Sequence, residues 1–367
     1  MGALSSRVAV VTGASRGIGK GIALALAEHG ATVYVTGRTV TPGSHPLPGT
    51  VGDTAAECDR RGGTGVAVQV DHANDEQVAA LFERVEREQG RLDILVNNAF
   101  SLPDDLTDPE PFWEKPLSNW EMVDVGVRSN FVAARHAATI MAPQKSGLIV
   151  AVSGYTGVAY TYGVLFGMAK SAVDRMARDM AVELQPYDVA SVSIWQGLTF
   201  TERAERNLAA IPGLTEGAAT RPENGCSPEF AGLVIAALAQ DPAIMSRSGG
   251  TFITAELAEE YGVTDIDGRE IPSLRSTRGE PIWSPIAGAV GSGSASGRPP
   301  PLPPHCNGVH HEHTGGISLV RQGRQARGPS GSPGDPRYAD PLQPGNGPIR
   351  SRLVPLRLPH RRDDRRR

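Results

Sequence analysis

Thr12-Gly13-Ala14-Ser15-Arg16-Gly17-Ile18-Gly19 decides the fold of this 367-residue chain. It follows the apolar run Val8-Ala9-Val10-Val11 and precedes a helically spaced run, Ile22, Leu24, Ala25 and Leu26. The stretch therefore stands where a buried strand turns into a helix, the context that gives a glycine-rich segment physical meaning. Glycine lets the backbone turn tightly and approach a ligand closely. The helix that follows offers unpaired N–H groups and the positive end of its dipole to an anion. The natural ligand for such a turn is the pyrophosphate of a dinucleotide. The spacing, Gly13-x3-Gly17-x-Gly19, differs from the commoner G-x-G-x-x-G, so the rest of the chain has to decide.

Working outward, strands and helices alternate. A second strand, Thr32 to Thr36, ends at Gly37-Arg38, and a Pro/Gly/Ser-rich loop spans 41–49. A helix near 52–61 leads to the strand Val66 to Val70, which ends at Asp71. Asn74 and Gln77 form a capping box for a helix to about Gln89, with Val78, Leu81, Phe82 and Val85 on its apolar face. The strand Leu92 to Val96 ends in Asn97-Asn98-Ala99. After a loop over 100–117, Ser118 and Glu121 make a second capping box for a long helix to about Met141. The strand Leu148 to Val152, a Gly/Tyr-rich loop at 153–164, a helix from Phe166 to Leu184 and the strand Ala190 to Trp195 follow. Within 196–226 one helix is expected over 201–210. Ser227-Pro228-Glu229 opens a helix to about Gln240, and a short strand at 250–254 closes the series. Apolar strands alternating with helices specify an α/β, Rossmann-type doubly wound parallel sheet of about seven strands, with helices on both faces. Ligands then bind at the carboxyl ends of the strands, where Gly13, Arg38, Asp71, Asn97 and Ser153 fall.

Composition sets the limits. With 40% apolar and 21% charged residues, a folded core is expected. No uncharged apolar run reaches the ~18 residues of a membrane span, and the N-terminal residues lack a secretory pattern. Cys58, Cys226 and Cys306 match no metal or redox spacing, so a cytoplasmic, reducing setting is expected, with no metal. Residues 287–367 hold 13 Arg and 5 acidic residues, a net charge of +8, which leaves −12 on residues 1–286. That acidic body excludes nucleic acid as the main partner. The Gly/Pro/Ser/Arg-rich stretch 287–367 lacks periodicity and reads as a disordered tail behind one domain, 1–286. Its His305-Cys306 and His310-His311-Glu312-His313 read as solvated residues.

Together the glycine turn, Asp71, Asn97-Asn98-Ala99 and Lys170 resemble the short-chain dehydrogenase/reductase superfamily, over residues 7 to about 275. Asn98-Ala99-Phe100, Phe112-Trp113-Glu114, Gly147-Leu148-Ile149-Val150 and Tyr261-Gly262-Val263-x-Asp265-x-Asp267-Gly268-Arg269 are most similar to the branch typified by dehydrogenase/reductase SDR family member 1. The resemblance implies hydride transfer between a nicotinamide cofactor and a carbonyl or alcohol. It implies that Gly13, Ser15, Gly17, Ile18 and Gly19 line the pyrophosphate turn, with Asp71 on the adenine edge and Ala99 on the adenosine ribose. Asn97 would steady the central sheet, Lys170 would bond the nicotinamide ribose, and Gly197, Leu198 and Thr201 would hold the carboxamide. An NAD site wants an acid at the end of the second strand. Here that position is Gly37-Arg38, and Arg16 lies in the turn, so two guanidinium groups would flank a 2′-phosphate and NADP(H) is favoured over NAD(H). Arg38 reads otherwise as a solvated loop residue.

The proton-transfer half departs from the pattern. The family's Tyr-x-x-x-Lys here reads Phe166-Gly167-Met168-Ala169-Lys170, and phenylalanine has no hydroxyl. The supporting serine is Ser153 by spacing, with Gly154 as the other register. The helix asparagine falls at Gly126 or Asp124, and Gln196 replaces the usual proline. Three readings stand: a reductase whose donor has moved to Tyr162, with Tyr155 and Tyr160 on the same loop; a slow enzyme assisted by Ser153 and water; or a non-catalytic NADP(H)-binding sensor or inactive subunit. Each tyrosine could instead pack on the pocket wall. Phe100, Leu102, Phe112, Trp113, Tyr155, Tyr160, Leu165, Trp195 and Phe200 suggest a pocket for a small hydrophobic carbonyl or alcohol. Val173, Met176, Ala177 and Met180 form a stripe that suits either a homo-oligomer contact, as the resemblance implies, or core.

Overall fold

Seven apolar segments become strands: β1 (Val8–Val11), β2 (Thr32–Gly37), β3 (Thr64–Gln69), β4 (Ile94–Asn97), β5 (Gly147–Gly154), β6 (Val189–Gln196) and β7 (Thr251–Ile253). The computed structural model describes residues 2–210 and 225–286. All strands run parallel in the order β3-β2-β1-β4-β5-β6-β7. The order reverses between β1 and β4, which opens a crevice at their carboxyl ends. The expected tail, 287–367, lies outside the described residues, as do 211–224.

Period-two alternation along the strands sorts the core into two faces. Ala9, Val11, Val33, Val35, Val96, Val150 and Val192 pack under α1 (Gly17–Glu28) and α2 (Val51–Arg60). Phe230, Val234 and Ile235, which belong to a later helix, and Leu257, from another, complete that layer. Val8, Val10, Leu95 and Ile149 face the other way, onto α3 (Asp75–Gln89) and α4 (Ser129–Gln144). Next to them Ala151 packs against Val173 and Ala177 of α5 (Val164–Leu184). The stripe on α5 is thus largely spent inside the molecule, with Met180 also packed on the core. The longer of the remaining described helices are α6 (Glu202–Ala210), α7 (Phe230–Leu238) and α8 (Thr254–Tyr261), with single turns at Ile244–Arg247 and Arg275–Arg278. No described helix is long and apolar enough to cross a membrane.

Helix starts show where local reading holds. Asn74 Oδ1 accepts from Gln77 N at 3.0 Å, but Gln77 Oε1 accepts from Asp71 N at 2.8 Å rather than from Asn74, so the box also ties in the exit of β3. Ser227 Oγ accepts from Phe230 N at 3.2 Å, and α7 runs from there. The second expected capping box does not form. The residue before that helix is Pro116, without a side-chain cap, and the chain enters through a 3₁₀ turn, Leu117–Trp120. One α-turn (Glu121–Val123) and a π-turn (Asp124–Arg128) then precede α4. The widened turn coincides with Gly126, where an added Cβ would stand 2.4 Å from Phe100 Cε2. A tertiary contact therefore overrides the regular helix that the local pattern favours.

The exit of β3 holds a buried histidine, His72, at 5% exposure. Its Nε2 lies 2.8 Å from Thr36 Oγ, and the Thr36 hydroxyl gives its proton to Val11 O at 3.1 Å, so the imidazole is the donor. Its Nδ1 has no partner. Burial pushes the imidazole down to about 4, opposed by Asp71 and aided by Arg38. The unfolded chain binds that proton near pH ~6.5. The contribution to stability is therefore complete above about 6.5 and lost as pH falls through about 4, on the order of 3 kcal/mol. His72→Gln is expected to flatten the loss of unfolding free energy between neutral pH and pH ~4 in urea titrations. Parallel losses in both proteins would contradict it.

Candidate active site

The turn after β1 is locked to the turn after β4. Thr12 Oγ donates to Val96 O at 3.3 Å and accepts from Asn98 N and Ala99 N, both at 2.9 Å. Asn98 returns the contact, with Nδ2 donating to Thr12 O at 2.9 Å and Gly13 O at 3.1 Å. The lock leaves no space for side chains. A Cβ on Gly13, whose φ is +67°, would lie 2.9 Å from Ala99 Cα, and one on Gly19 would lie 2.4 Å from Asn98 Nδ2. Gly17, with φ +57°, opens α1, and its N–H donates to Glu202 Oε2 at 2.9 Å. A carboxylate on that N–H shows that the turn accepts an anion, which fits the phosphate group expected there.

One cleft of about 800 Å³ collects the expected site residues. Gly13, Ser15, Arg16, Gly17, Ile18, Gly19, Arg38, Asp71, Ala99, Ser153, Tyr162, Lys170, Leu198 and Thr201 all line it. Asn97 does not. It is buried at the end of β4, and its Nδ2 donates to Asn130 O at 3.1 Å, which joins the sheet to α4. Arg16 fastens the 39–49 loop, donating to Pro48 O, Thr39 Oγ and Gly49 O at 2.9, 3.1 and 2.9 Å. Burial pulls its guanidinium below the usual range; Glu202 opposes this, and Arg203 and Arg38 add to it. Arg203 lines the same cleft and adds a guanidinium to the two read from the sequence, while burial and the neighbouring arginines pull the His45 imidazole there below its usual range. Arg38 is exposed and lies 3.8 Å from Glu121.

The other end of the cleft is aromatic. Lys170 Nζ donates to Val152 O at 3.0 Å and sits 4.3 Å from the Phe100 ring centroid and 5.7 Å from that of Phe166. Burial pulls the ammonium down to about 8, and Asp174 opposes the shift. Ser153 is buried, and its hydroxyl donates to Lys170 O at 3.3 Å. Asp174 accepts from Ser193 Oγ at 2.6 Å and Trp195 Nε1 at 2.9 Å, which pins α5 to β6. Burial raises the Asp174 carboxyl, with Ser193, Ser153, Trp195 and Lys170 all opposing.

The three loop tyrosines separate. Tyr155 is buried against Trp195, and its hydroxyl accepts from Leu274 N at 3.2 Å. Tyr160 is 83% exposed. Tyr162 precedes α5, meets Phe166 edge-on at 5.2 Å, and has no hydroxyl partner among the described residues. Of the expected pocket residues, Phe100, Leu102 and Tyr155 line the cleft. Phe112 and Trp113 instead pack on each other at the surface, and Trp195 belongs to the core. Sequence reading missed Asp174, Glu202 and Arg203. Asp174 stands four residues after Lys170, a spacing that signals a shared helix face. Nothing local marks the other two, because α6 meets the glycine turn only through the fold. Cys58 and Cys226 are buried free thiols, pushed up to about 12 and about 11 by burial, and Cys306 lies outside the described residues with the 305–313 histidines.

Comparison with known proteins shows the family. Residues 7–211 match the family described as short chain dehydrogenase. The Mus musculus protein "Dehydrogenase/reductase SDR family member 1" is 41% identical over 276 residues, 73% of this chain and 86% of the mouse protein. Its Homo sapiens namesake is 39% identical, covering 74% of this chain and 87% of the human one. The 3-oxoacyl-[acyl-carrier-protein] reductase of Synechocystis is 34% identical, covering 69% of this chain and 96% of that protein. A solved short chain dehydrogenase from Mycobacterium thermoresistibile has a TM-score of 0.62 at 25% identity, covering 79% of this chain and 100% of that one.

Thr12→Val keeps the shape but leaves Asn98 N and Ala99 N without their acceptor. It is expected to cost about 2 kcal/mol in chemical denaturation and to weaken dinucleotide binding. An unchanged denaturation midpoint would show that the lock is dispensable.

Proposed function

Because the chain belongs to the short-chain dehydrogenase/reductase family of nicotinamide-dependent oxidoreductases, we propose that it is an NADP(H)-dependent oxidoreductase of small hydrophobic carbonyls or alcohols. On this reading Tyr162 replaces the missing phenol as proton donor. The observation that carries the reading is the convergence of the locked glycine turn, Arg16, Arg38, Arg203 and Lys170 in one cleft. Bound there, the nicotinamide would exchange a hydride with the substrate carbonyl carbon.

The chain's own groups divide the remaining work. Gly13, Ser15, Gly17, Ile18 and Gly19 hold the pyrophosphate, and Asp71 and Ala99 the adenosine. Arg16, Arg38 and Arg203 attract a 2′-phosphate, for which a guanidinium is a suitable fork. Lys170, Leu198 and Thr201 hold the nicotinamide half. Tyr162 is the cleft-lining phenol whose hydroxyl has no partner among the described residues, whereas Tyr155 is tied to Leu274. Lys170⁺ lowers the cost of a phenolate nearby, and Ser153 supports the helix that carries it. Phe100, Leu102 and Leu106 give the substrate end its apolar wall. The proposal includes a homo-oligomer formed through α4 and α5, whose Phe131, Met168 and Val182 are exposed.

NADPH is expected to bind about tenfold tighter than NADH in fluorescence titration, a difference of roughly 1.4 kcal/mol, with Arg38→Ala removing most of it. Equal wild-type affinities would sink the preference. Tyr162→Phe is expected to slow NADPH-dependent reduction of a carbonyl panel by about 10²-fold or more, with NADPH affinity unchanged. Adding Phe166→Tyr to that variant is expected to restore the rate. A silent Tyr162→Phe would remove Tyr162 from the reaction. Absence of turnover in every variant would leave a cofactor-binding protein.

A further inference from the structure

The N–H of Gly17, the first of α1, is already engaged by a group of the chain itself. Glu202 Oε2 accepts its hydrogen bond at 2.9 Å. Glu202 is the first residue of α6, and Thr201 Oγ caps that helix by accepting from Ala204 N at 3.2 Å. The contact is close-packed as well as polar. A Cβ on Gly17 would lie 3.5 Å from the Thr201 methyl and 3.9 Å from Glu202 Oε2. The same turn of α6 also meets the 100–117 loop, where Arg203 and Arg206 stand 3.7 and 3.9 Å from the exposed Asp104. Glu202 also bears on Arg16, whose charged form it favours.

We propose that Glu202 is a built-in competitor for the pyrophosphate subsite: its carboxylate holds the Gly17 N–H in the free protein and must leave when a dinucleotide binds, so that cofactor occupancy and the position of α6 are coupled. The inference rests on the reading of the cleft as a dinucleotide site. One N–H cannot give a straight hydrogen bond to a carboxylate and a phosphate at once. Two anions in contact at the turn would also repel, most strongly in a cleft shielded from water. The ligand therefore has to replace a charge-assisted hydrogen bond before it gains its own. Because the arginines next to Glu202 contact Asp104 in the 100–117 loop, displacement at the turn is transmitted to the substrate side. The device lowers cofactor affinity and in return makes α6 responsive to the cofactor.

The test compares the full chain with Glu202→Gln and Glu202→Ala, titrated with NADPH, ADP-ribose and 2′,5′-ADP by calorimetry. Both variants are expected to bind NADPH and ADP-ribose about tenfold tighter than the wild type, the loss of roughly one charge-assisted contact. They should bind 2′,5′-ADP, which lacks the pyrophosphate, with unchanged affinity. In the wild type, NADPH is expected to speed amide hydrogen exchange at the start of α6, and in the variants that exchange is expected to be fast without it. Unchanged or weaker NADPH affinity in both variants overturns the proposal, and so does an equal gain for 2′,5′-ADP, which would mark a general charge effect. The wild-type titration alone tests the cofactor reading: if NADH binds in place of NADPH, that preference fails while the Glu202 effect is expected to carry over to NADH. If neither the wild type nor the variants bind any dinucleotide, both fall.

Discussion

One threonine hydroxyl fastens the site together. Thr12 Oγ takes the N–H groups of Asn98 and Ala99 and gives its proton to Val96 O, so the ends of the two central strands share one hydrogen-bonded node. These strands flank the reversal in sheet order, where the crevice must open. The node fixes how far the β1 turn stands from the β4 turn. The distance is so short that only glycine fits at 13 and 19. The backbone N–H groups that greet an anion are therefore held in place by buried contacts rather than by loop preference, so the turn itself is preformed and what has to move is the Glu202 carboxylate that occupies it.

The cleft joins two electrostatic regimes. At the end near β2 and β3 it is polar and rich in guanidinium groups, with Arg16, Arg38 and Arg203. At the end near β5 and α5 it is dry, and Lys170 is held between aromatic faces with one backbone acceptor. Asp174 serves that end from behind. Its carboxylate fixes α5 against β6 and partly offsets the cost of burying the ammonium. A ligand with a charged end and a flat, nearly neutral end matches both regimes. This is a stronger constraint than the glycine turn alone provides.

The features that local sequence dictates were readable. Strand–helix alternation, the strand ends and the apolar face of α3 follow from periodicities of two and 3.6 residues, and the seven strands lie where those periods put them. Asn74 and Ser227 could be read as caps because a cap is a contact within a few residues. Ser118 and Glu121 carry the same signal, yet the chain there enters through a 3₁₀ turn after Pro116, and the helix beyond widens at Gly126, where Phe100 packs. Likewise the residues near the site were legible when they sat at strand ends. Asn130, Asp174 and Glu202 were not, since each acts on a partner at least 19 residues away that only the folded sheet brings close. The apolar stripe on α5 shows the converse limit: the sequence pattern marks a buried face without saying whether the chain itself or a second copy buries it.

Gly126 and Phe100 occupy what is in effect a single volume. The ring of Phe100 fills the space that any side chain at 126 would need, and from there it lies over Lys170. Neither residue can change freely while the other stays. A larger residue at 126 requires a smaller one at 100, and a smaller one at 100 uncovers the ammonium. The two positions act as one packing unit, so a substitution at either has to be made together with the other. An effort to place a side chain on the widened turn of this chain would have to begin in the loop after β4, not in the helix itself.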